Sequence, residues 1–311
     1  MPEVAHRIRV GTASWTDPTL IRCGRFYPPG CTTPEARLRF YATRFSLVEV
    51  NASYYAVPAP ETALQWAERT PDGFTFNVKA FRLLTAHQTP LEVLPPPVRE
   101  ALGDWKKPRI YYADMPESLL DDTWRLFMGS IAPLHLAGKL GLVHFQFAPW
   151  LLCSPQARAH VEECRRRLPP DATMSVEFRH RSWFSERNRA RTLDFLRDIG
   201  AVHTVLDAPQ GFVSSAGEHW AVTQPRYALV RLHGRNTATW SAKGLASAAE
   251  RFNYDYGDDE LRGLAAPIAG LARRVEETHV VFNNNMEDQG QRNAARLREL
   301  LREVAHATAV A

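Results

Sequence analysis

Short apolar stretches recur eight times along the chain, and each ends in polar or charged residues. Such short runs, rich in branched and aromatic side chains, are typical of buried strands. Helix-compatible stretches separate most of them, so the pattern predicts an α/β fold, a (β/α)8 TIM barrel with its active site where the strands end. The eight predicted strands cover residues 8–15, 47–51, 74–79, 142–147, 174–179, 202–207, 227–233 and 279–284.

Helical periodicity occupies most of the intervals between these strands. Thr33 stands at an N-cap position and Pro34 in the first turn of the helix that follows. The interval between strands six and seven looks like a loop instead. The predicted helices cover residues 34–44, 61–69, 119–136, 156–168, 189–199, 260–277 and 291–304.

Three strand-to-helix loops are long, namely those after strands one, three and seven, at residues 16–32, 80–116 and 234–257. All three follow strands, so they are predicted to cover the same mouth of the barrel. A loop as long as the one after strand three is usually a functional lid or a disordered insertion.

Composition narrows the class of protein. With 311 residues, 45% hydrophobic and 23% charged, the chain fits one globular barrel domain over residues 1–311. No apolar run approaches the roughly 20 residues that cross a bilayer, and the first residues carry no apolar signal, so we expect a cytoplasmic protein with its four cysteines reduced. The net charge of +4 is compatible with an anionic ligand, but the chain lacks the large excess of basic residues that a dedicated nucleic-acid binder carries.

Polar residues at every second strand position predict a charged barrel interior. Strand side chains alternate between two faces, and unpaired charge packed against the helices would cost several kcal/mol. The polar face should therefore line the lumen, as an ion-pair network that is purely structural or one built around a polar ligand. The paired positions are Glu49 with Asn51, Asn77 with Lys79, His144 with Gln146, Glu177 with Arg179, and Arg231 with His233.

The mixture of charges suggests acid–base chemistry on an anion. We predict that Glu49 and Glu177 are the base and its partner and that His233 is the acid. Whether burial raises the pKa of these carboxyls or neighbouring cations lower it stays open. Lys79, Arg179 and Arg231 would hold the anion, Asn51 and Asn284 would orient hydroxyls, and the other predicted substrate-binding residues are Trp15, Gln146, Asp207, Arg235 and Asn283.

Cofactor signals are weak. No paired histidine spacing for a metal exists, and the nearby cations oppose a divalent ion. The side chains that could ligate one are Glu49, Glu177, Asp207, His233, His180 and His87. The cofactor is therefore unknown, with a metal as the minority alternative. The chain has no phosphate-binding glycine loop and no serine nucleophile elbow.

Several segments together resemble the YecE-like family, known as domain of unknown function 72. The resemblance spans nearly the whole chain and implies a TIM barrel related in architecture to xylose isomerase and endonuclease IV. Two motifs differ. The family's Thr-His pair appears as Thr85-Ala-His87, which leaves the role of His87 open, and its Gln-x-Pro-Pro appears as Gln146-Phe-Ala-Pro149. The matching segments include Gly11-Thr-Ala-Ser-Trp15, Val48-Glu-Val-Asn-Ala-Ser-Tyr-Tyr55, Phe74-Thr-Phe-Asn-Val-Lys-Ala80, Val176-Glu-Phe-Arg-His-Arg-Ser-Trp183, Val230-Arg-Leu-His-Gly-Arg235 and Phe282-Asn-Asn284.

The family name records no settled activity, so three hypotheses stand. The leading one is a hydrolase or isomerase that acts on a phosphorylated or otherwise anionic small molecule. A metal-dependent phosphodiesterase or nuclease follows by analogy with endonuclease IV, which is a fold-level argument only. The third is a non-catalytic module that binds nucleic acid or a metabolite. The sequence predicts no membrane partner and leaves the oligomeric state open.

Overall fold

Eight parallel strands close into a barrel in a computed structural model that describes residues 7–245 and 247–310. Each strand pairs with the next along the chain, and the first closes on the last through pairs such as Val10 with Val280. The predicted TIM barrel is confirmed. The strands are β1 (Ile8–Ala13), β2 (Leu47–Val50), β3 (Thr75–Lys79), β4 (Leu140–Gln146), β5 (Thr173–Glu177), β6 (Val202–Asp207), β7 (Tyr227–Leu232) and β8 (Glu277–Phe282).

Helices surround the barrel, except that residues 208–226 between β6 and β7 contain none, as the sequence predicts. The helices are α1 (Pro18–Cys23), α2 (Pro34–Arg44), α3 (Ala52–Tyr55), α4 (Pro60–Glu68), α5 (Pro96–Leu102), α6 (Glu117–Leu136), α7 (Pro155–Arg167), α8 (Arg189–Asp198), α9 (Thr237–Trp240), α10 (Ala248–Arg251), α11 (Asp258–Ala272) and α12 (Gln289–Val310). No helix in the described ranges is long and apolar enough to cross a membrane.

Local chemistry explains where the helices begin. Thr33 Oγ1 accepts a hydrogen bond from the Ala36 amide at 3.1 Å, and Pro34 occupies the first turn, both as predicted. Two helix ends were predicted wrongly: α11 ends at Ala272 rather than at Glu277, and α12 ends at Val310 rather than at Val304. Glu277 instead begins β8, where it is in register with Tyr227, because strand pairing there outweighs the helical periodicity of its sequence.

The barrel wall separates two apolar cores. The larger lies between strands and helices and contains Phe76, Phe145 and Phe178. The smaller lies within the lumen and consists of Ala13, Leu47, Leu142, Val202, Leu229 and Val281. In β2, β4, β7 and β8 the residue two positions after each of these apolar side chains is polar, so an apolar layer supports a polar layer nearer the strand C-termini.

Gly141 relieves crowding inside the lumen. The β3–β4 register shifts between Phe76 and Val78, so both Gly141 and Leu142 approach the interior. A Cβ on Gly141 would lie 2.6 Å from Thr75 Cγ2, 2.7 Å from Asn77 Oδ1 and 2.9 Å from His279 Cε1. Those distances leave no room for any larger side chain.

The three long loops follow β1, β3 and β7, as predicted, and each contains ordered structure. The loop after β1 carries α1, and the loop after β7 carries α9 and α10. The loop after β3 contains α5 and a two-stranded antiparallel pair formed by Thr89–Pro90 and Arg109–Ile110. Lid motion of this loop stays a prediction.

Candidate active site

Arg231 bridges two buried carboxylates across the barrel. Its Nη2 donates to Glu49 Oε1 at 2.6 Å, and its Nη1 donates to Glu177 Oε2. All three side chains are fully buried. They come from β7, β2 and β5, which are not neighbouring strands, so they meet only through the lumen. The predicted inward orientation is confirmed for these residues.

Three further side chains connect this bridge to the mouth of the barrel. Gln146 Oε1 accepts hydrogen bonds from Lys79 Nζ at 3.1 Å and from Arg231 Nη1 at 3.3 Å. Arg179 Nη1 donates to Glu177 Oε1 at 3.1 Å. Lys79 keeps 8% of its surface exposed and the Arg179 side chain keeps 12%, so both can reach a ligand.

Two histidines complete the arrangement around Glu177. His144 Nε2 lies 3.3 Å from Glu177 Oε2, and His233 Nε2 lies 3.5 Å from Glu177 Oε1. Asn283 Nδ2 donates to His233 Nδ1 at 2.8 Å, which leaves the imidazole proton on Nε2. Eight of the predicted site residues thus form one network: Glu49, Lys79, Gln146, Glu177, Arg179, Arg231, His233 and Asn283.

Both carboxylates are held ionised. Burial alone would raise the pKa of Glu177, but Arg231, with His233 and His144, more than offsets it and holds that pKa well below its usual range. For Glu49, the opposing effects of Arg231, His144 and Lys79 likewise leave the pKa lowered. The question left open by the sequence is answered mainly by Arg231, and both groups are weak bases at neutral pH.

His233 is neutral at physiological pH. Burial outweighs the attraction of Glu177 and, with Arg231 and Arg179, lowers the pKa of His233 to about 4. A neutral imidazole whose N–H faces a carboxylate holds Glu177 in place. This argues against the predicted role of His233 as the acid.

Lys79 is the group in the network whose charge changes near neutrality. Burial and the adjacent Arg231 lower the pKa of Lys79 to about 8, although Glu49 and Glu177 act in the opposite direction. Its Nζ also lies 4.8 Å from the ring centre of Tyr54. The sequence reasoning missed Tyr54; its only signal was its position within the family-like segment that follows β2.

The network carries a surplus of positive charge. Its cations are Lys79, Arg179 and Arg231, and its carboxylates are Glu49 and Glu177. Within the described residues, the Lys79 ammonium donates only to Gln146, and the remaining N–H groups of Arg179 meet no acceptor. These free donors lie at the mouth, where an anion would neutralise the surplus.

Two predicted residues, Asp207 and Arg235, form a separate cluster outside the lumen. Asp207 lies on the opposite face of β6 from the lumen residue Val202, so the odd–even alternation points it away from the network. It pairs with Arg235 Nη2 at 2.5 Å and accepts from the Tyr256 hydroxyl at 2.7 Å. This cluster ties the loop after β7 to the barrel.

The last three predicted residues also lie away from the network. Asn284 donates to the Tyr254 carbonyl at 2.8 Å and to Asn293 Oδ1 at 2.7 Å, joining the loop after β7 to α12. Trp15 and Asn51 line a different cavity of about 320 Å³ beside α2 and α4. Asn51 leaves the predicted face because the chain turns into α3 directly after β2.

The residues present do not suit a divalent metal. In the ranges 7–245 and 247–310, no three His, Cys, Asp or Glu side chains are grouped as a metal site. Glu49 and Glu177 already bind the Arg231 guanidinium, and a divalent cation would have to displace it against the charge of Lys79 and Arg179.

Comparison with known proteins fits this architecture. The model of the family described as "Protein of unknown function DUF72" matches residues 9–310. The chain belongs to this family. UPF0759 protein YunF of Bacillus subtilis is 30% identical over 296 residues, which cover 94% of each chain. UPF0759 protein YecE of Escherichia coli is 26% identical over 202 residues, covering 65% of this chain and 59% of that one.

Solved structures of DUF72 proteins share the fold. One from Thermotoga maritima has a TM-score of 0.74 at 29% identity and covers 96% of this chain and all of its own. Another, from Enterococcus faecalis, has a TM-score of 0.76 at 25% identity and covers 95% of each chain. These similarities establish the family and the barrel, and they name no reaction.

Proposed function

We propose that the barrel mouth binds a small anion, a phosphorylated or carboxylated metabolite, and catalyses proton transfer on it. One observation carries this proposal: the buried network holds three cations against two carboxylates, with free donors at the exposed end. A buried surplus charge is costly unless a partner compensates it. A purely structural network would be expected to balance its charges within itself.

Lys79 is the proposed proton carrier in place of His233. An amine with a pKa of about 8 can give or take a proton near neutral pH, where general acid–base catalysis is most effective. Arg179 and Lys79 would bind the anionic group, while Arg231, Glu49 and Glu177 act as positioning residues that hold these donors at the mouth. His233 and Asn283 then orient Glu177 from behind.

The first test is a direct titration of the protein with inorganic phosphate and small carboxylates by calorimetry at low and high salt. We expect binding by the wild type that weakens with salt and is lost in Lys79→Met and Arg179→Met. Lys106→Met, which removes an exposed lysine of the loop after β3 that has no contact with the network, is the matched control and should bind normally. Equal binding by all four proteins would refute the proposed anion site.

The catalytic part has its own test. The protein is incubated with a cellular metabolite extract, and the extract is followed by mass spectrometry. We expect an anionic metabolite to be consumed by wild type and by Lys106→Met and to persist with Lys79→Met. An extract left unchanged by wild type, in the presence of demonstrated anion binding, would reduce the protein to a binding module.

A further inference from the structure

We propose that an aromatic cleft beside the mouth is a second binding subsite, which takes the planar ring of the same ligand. The ligand class is then an anion that carries an aromatic or heterocyclic ring, of the size and chemistry of a nucleoside monophosphate. This inference rests on the anion site proposed above and extends it to the uncharged part of the ligand.

The cleft has about 690 Å³ of space between two loops at the C-terminal face of the barrel. One wall comes from the loop after β3 and the other from the loop after β4 and the start of α7. Trp150 is 50% exposed and Tyr111 is 40% exposed, which is unusual for large rings that line a concavity. The aromatic and apolar residues that line the cleft include Tyr111, Tyr112, Trp150, Leu152 and His160.

A chain of ring contacts connects this cleft to Lys79. The Lys79 ammonium lies 4.8 Å from the Tyr54 ring centre, and the ring centres of Tyr54 and His87 are 5.2 Å apart. The next step, from His87 to Trp150, is 5.6 Å. Because β3 and β4 are neighbours, with Lys79 in register with His144, the mouth and the cleft lie side by side.

His87 stands between the two subsites with a free acceptor. The Thr85 hydroxyl donates to the Arg82 carbonyl at 3.1 Å, so the His87 Nδ1–H donates to Thr85 Oγ1 at 2.9 Å. Nε2 is then an acceptor, and no described residue donates to it, although His87 is only 6% exposed. Ala86, at a φ of 62°, makes the turn that brings the imidazole back to Thr85.

The mouth of the barrel and the aromatic cleft differ sharply in charge. Lys79 and Arg82 lie 4.8 Å and 5.4 Å from the centre of the Tyr54 ring, and Arg179 donates to Glu177 in the same network as Lys79. Among the described residues that line the cleft, Asp114 is the charged one. A ligand that fits both ends is therefore anionic at one end and uncharged, flat and apolar at the other, with a donor group between them for His87.

The test compares matched ligands by calorimetry: a purine and a pyrimidine nucleoside monophosphate, the corresponding nucleosides, and ribose 5-phosphate. We expect a nucleoside monophosphate to bind about tenfold or more tightly than ribose 5-phosphate, as ring stacking contributes in other proteins. Trp150→Ala and Tyr111→Ala should remove that advantage and leave ribose 5-phosphate unchanged. Leu136→Ala is the control, because Leu136 is 84% exposed at the opposite end of α6.

Each of the other possible outcomes contradicts a different part of the proposal. If ribose 5-phosphate and the nucleotides bind equally and depend on Lys79, the anion site stands and the ring subsite is wrong. If nucleosides bind as tightly as nucleotides and Lys79→Met leaves their affinity unchanged, the cleft binds rings, but its ligand is not the ligand of the anion site. If no phosphorylated compound binds but small carboxylates do, the nucleotide-like ligand is wrong and the anion site stands. If small carboxylates do not bind either, the proposed function fails, and the ring subsite fails with it.

Discussion

Two arginine clusters of similar composition lie on opposite sides of the barrel wall, and they are built differently. Outside, Arg235 pairs with Asp207 and Glu260, and the Tyr256 hydroxyl donates to the same Asp207. Inside, Arg231 pairs with Glu49 and Glu177 but is joined by two further cations. The outer cluster has more carboxylates than arginines, and the inner network has more cations than carboxylates.

The two clusters differ in where their unpaired charged groups lie. Arg235 is 40% exposed, so water can solvate what its partners leave unpaired. Arg231 is fully buried, and the partly exposed donors of its network belong to Lys79 and Arg179. Ion pairs that fasten a loop need no ligand, whereas a buried network with free donors at its exposed end has the form of a binding site.

Removing the central arginine should have the largest effect. Arg231→Met leaves the buried Glu49 without an ion pair and leaves Glu177 with the Arg179 pair alone, so we expect a loss of about 3–5 kcal/mol in the free energy of unfolding. Arg235→Met leaves Asp207 its hydrogen bond from Tyr256, so about 1 kcal/mol should be lost. Urea unfolding followed by circular dichroism measures both.

A network without its three bridging charges provides the control for that result, with Lys79 and Arg179 as its remaining cations. In Glu49→Gln/Glu177→Gln/Arg231→Met all three bridging charges are absent, so much of the lost stability should return. If the triple variant is no more stable than Arg231→Met, then the altered packing at position 231, rather than unpaired charge, explains the loss of stability. The same variant should bind no anion, because Lys79 and Arg179 lose the side chains that position them.

A smaller effect on stability is expected from steric crowding in the barrel lumen. Gly141→Ala places a methyl group within 3 Å of Thr75, Asn77 and His279, so we expect about 1–3 kcal/mol of destabilisation. Gly263→Ala, in α11 outside the barrel, meets nothing within 4 Å and should be neutral or slightly stabilising. Thermal unfolding of the two variants compares them directly; equal melting temperatures would contradict this description of the lumen.

The smallest expected effect is a pH dependence due to Lys79. Because the folded pKa is about 8 and the unfolded value is near 10.5, the unfolded chain binds more protons between these limits. The contribution of this group to stability therefore rises as pH increases from about 8 to 10.5, and Lys79→Met should flatten that rise. NMR of the reductively methylated protein should show a lysine signal titrating near pH 8 that is missing in Lys79→Met; a midpoint near 10.5 would contradict the burial argument.

Much of the site follows from strand alternation. Glu49, Glu177 and Arg231 lie two positions after apolar lumen residues or share their face, and period-two patterning places them inward. The same rule failed after β2, where α3 begins at once and carries Asn51 elsewhere. For Asp207, the position at a strand end suggested the mouth, although its parity points the side chain outward.

The amino-acid sequence by itself determined the barrel, the loops that cover its mouth and the polar character of its lumen, because these depend on local periodicity and on the direction in which strand side chains point. Only the tertiary structure decided which charges meet. Arg231 and Glu49 are 182 residues apart, and their pairing depends on the closure of eight strands. That pairing sets the pKa directions of the carboxylates and, with burial, brings the pKa of Lys79 to about 8, since desolvation and Coulomb interaction depend on distances that no local pattern encodes.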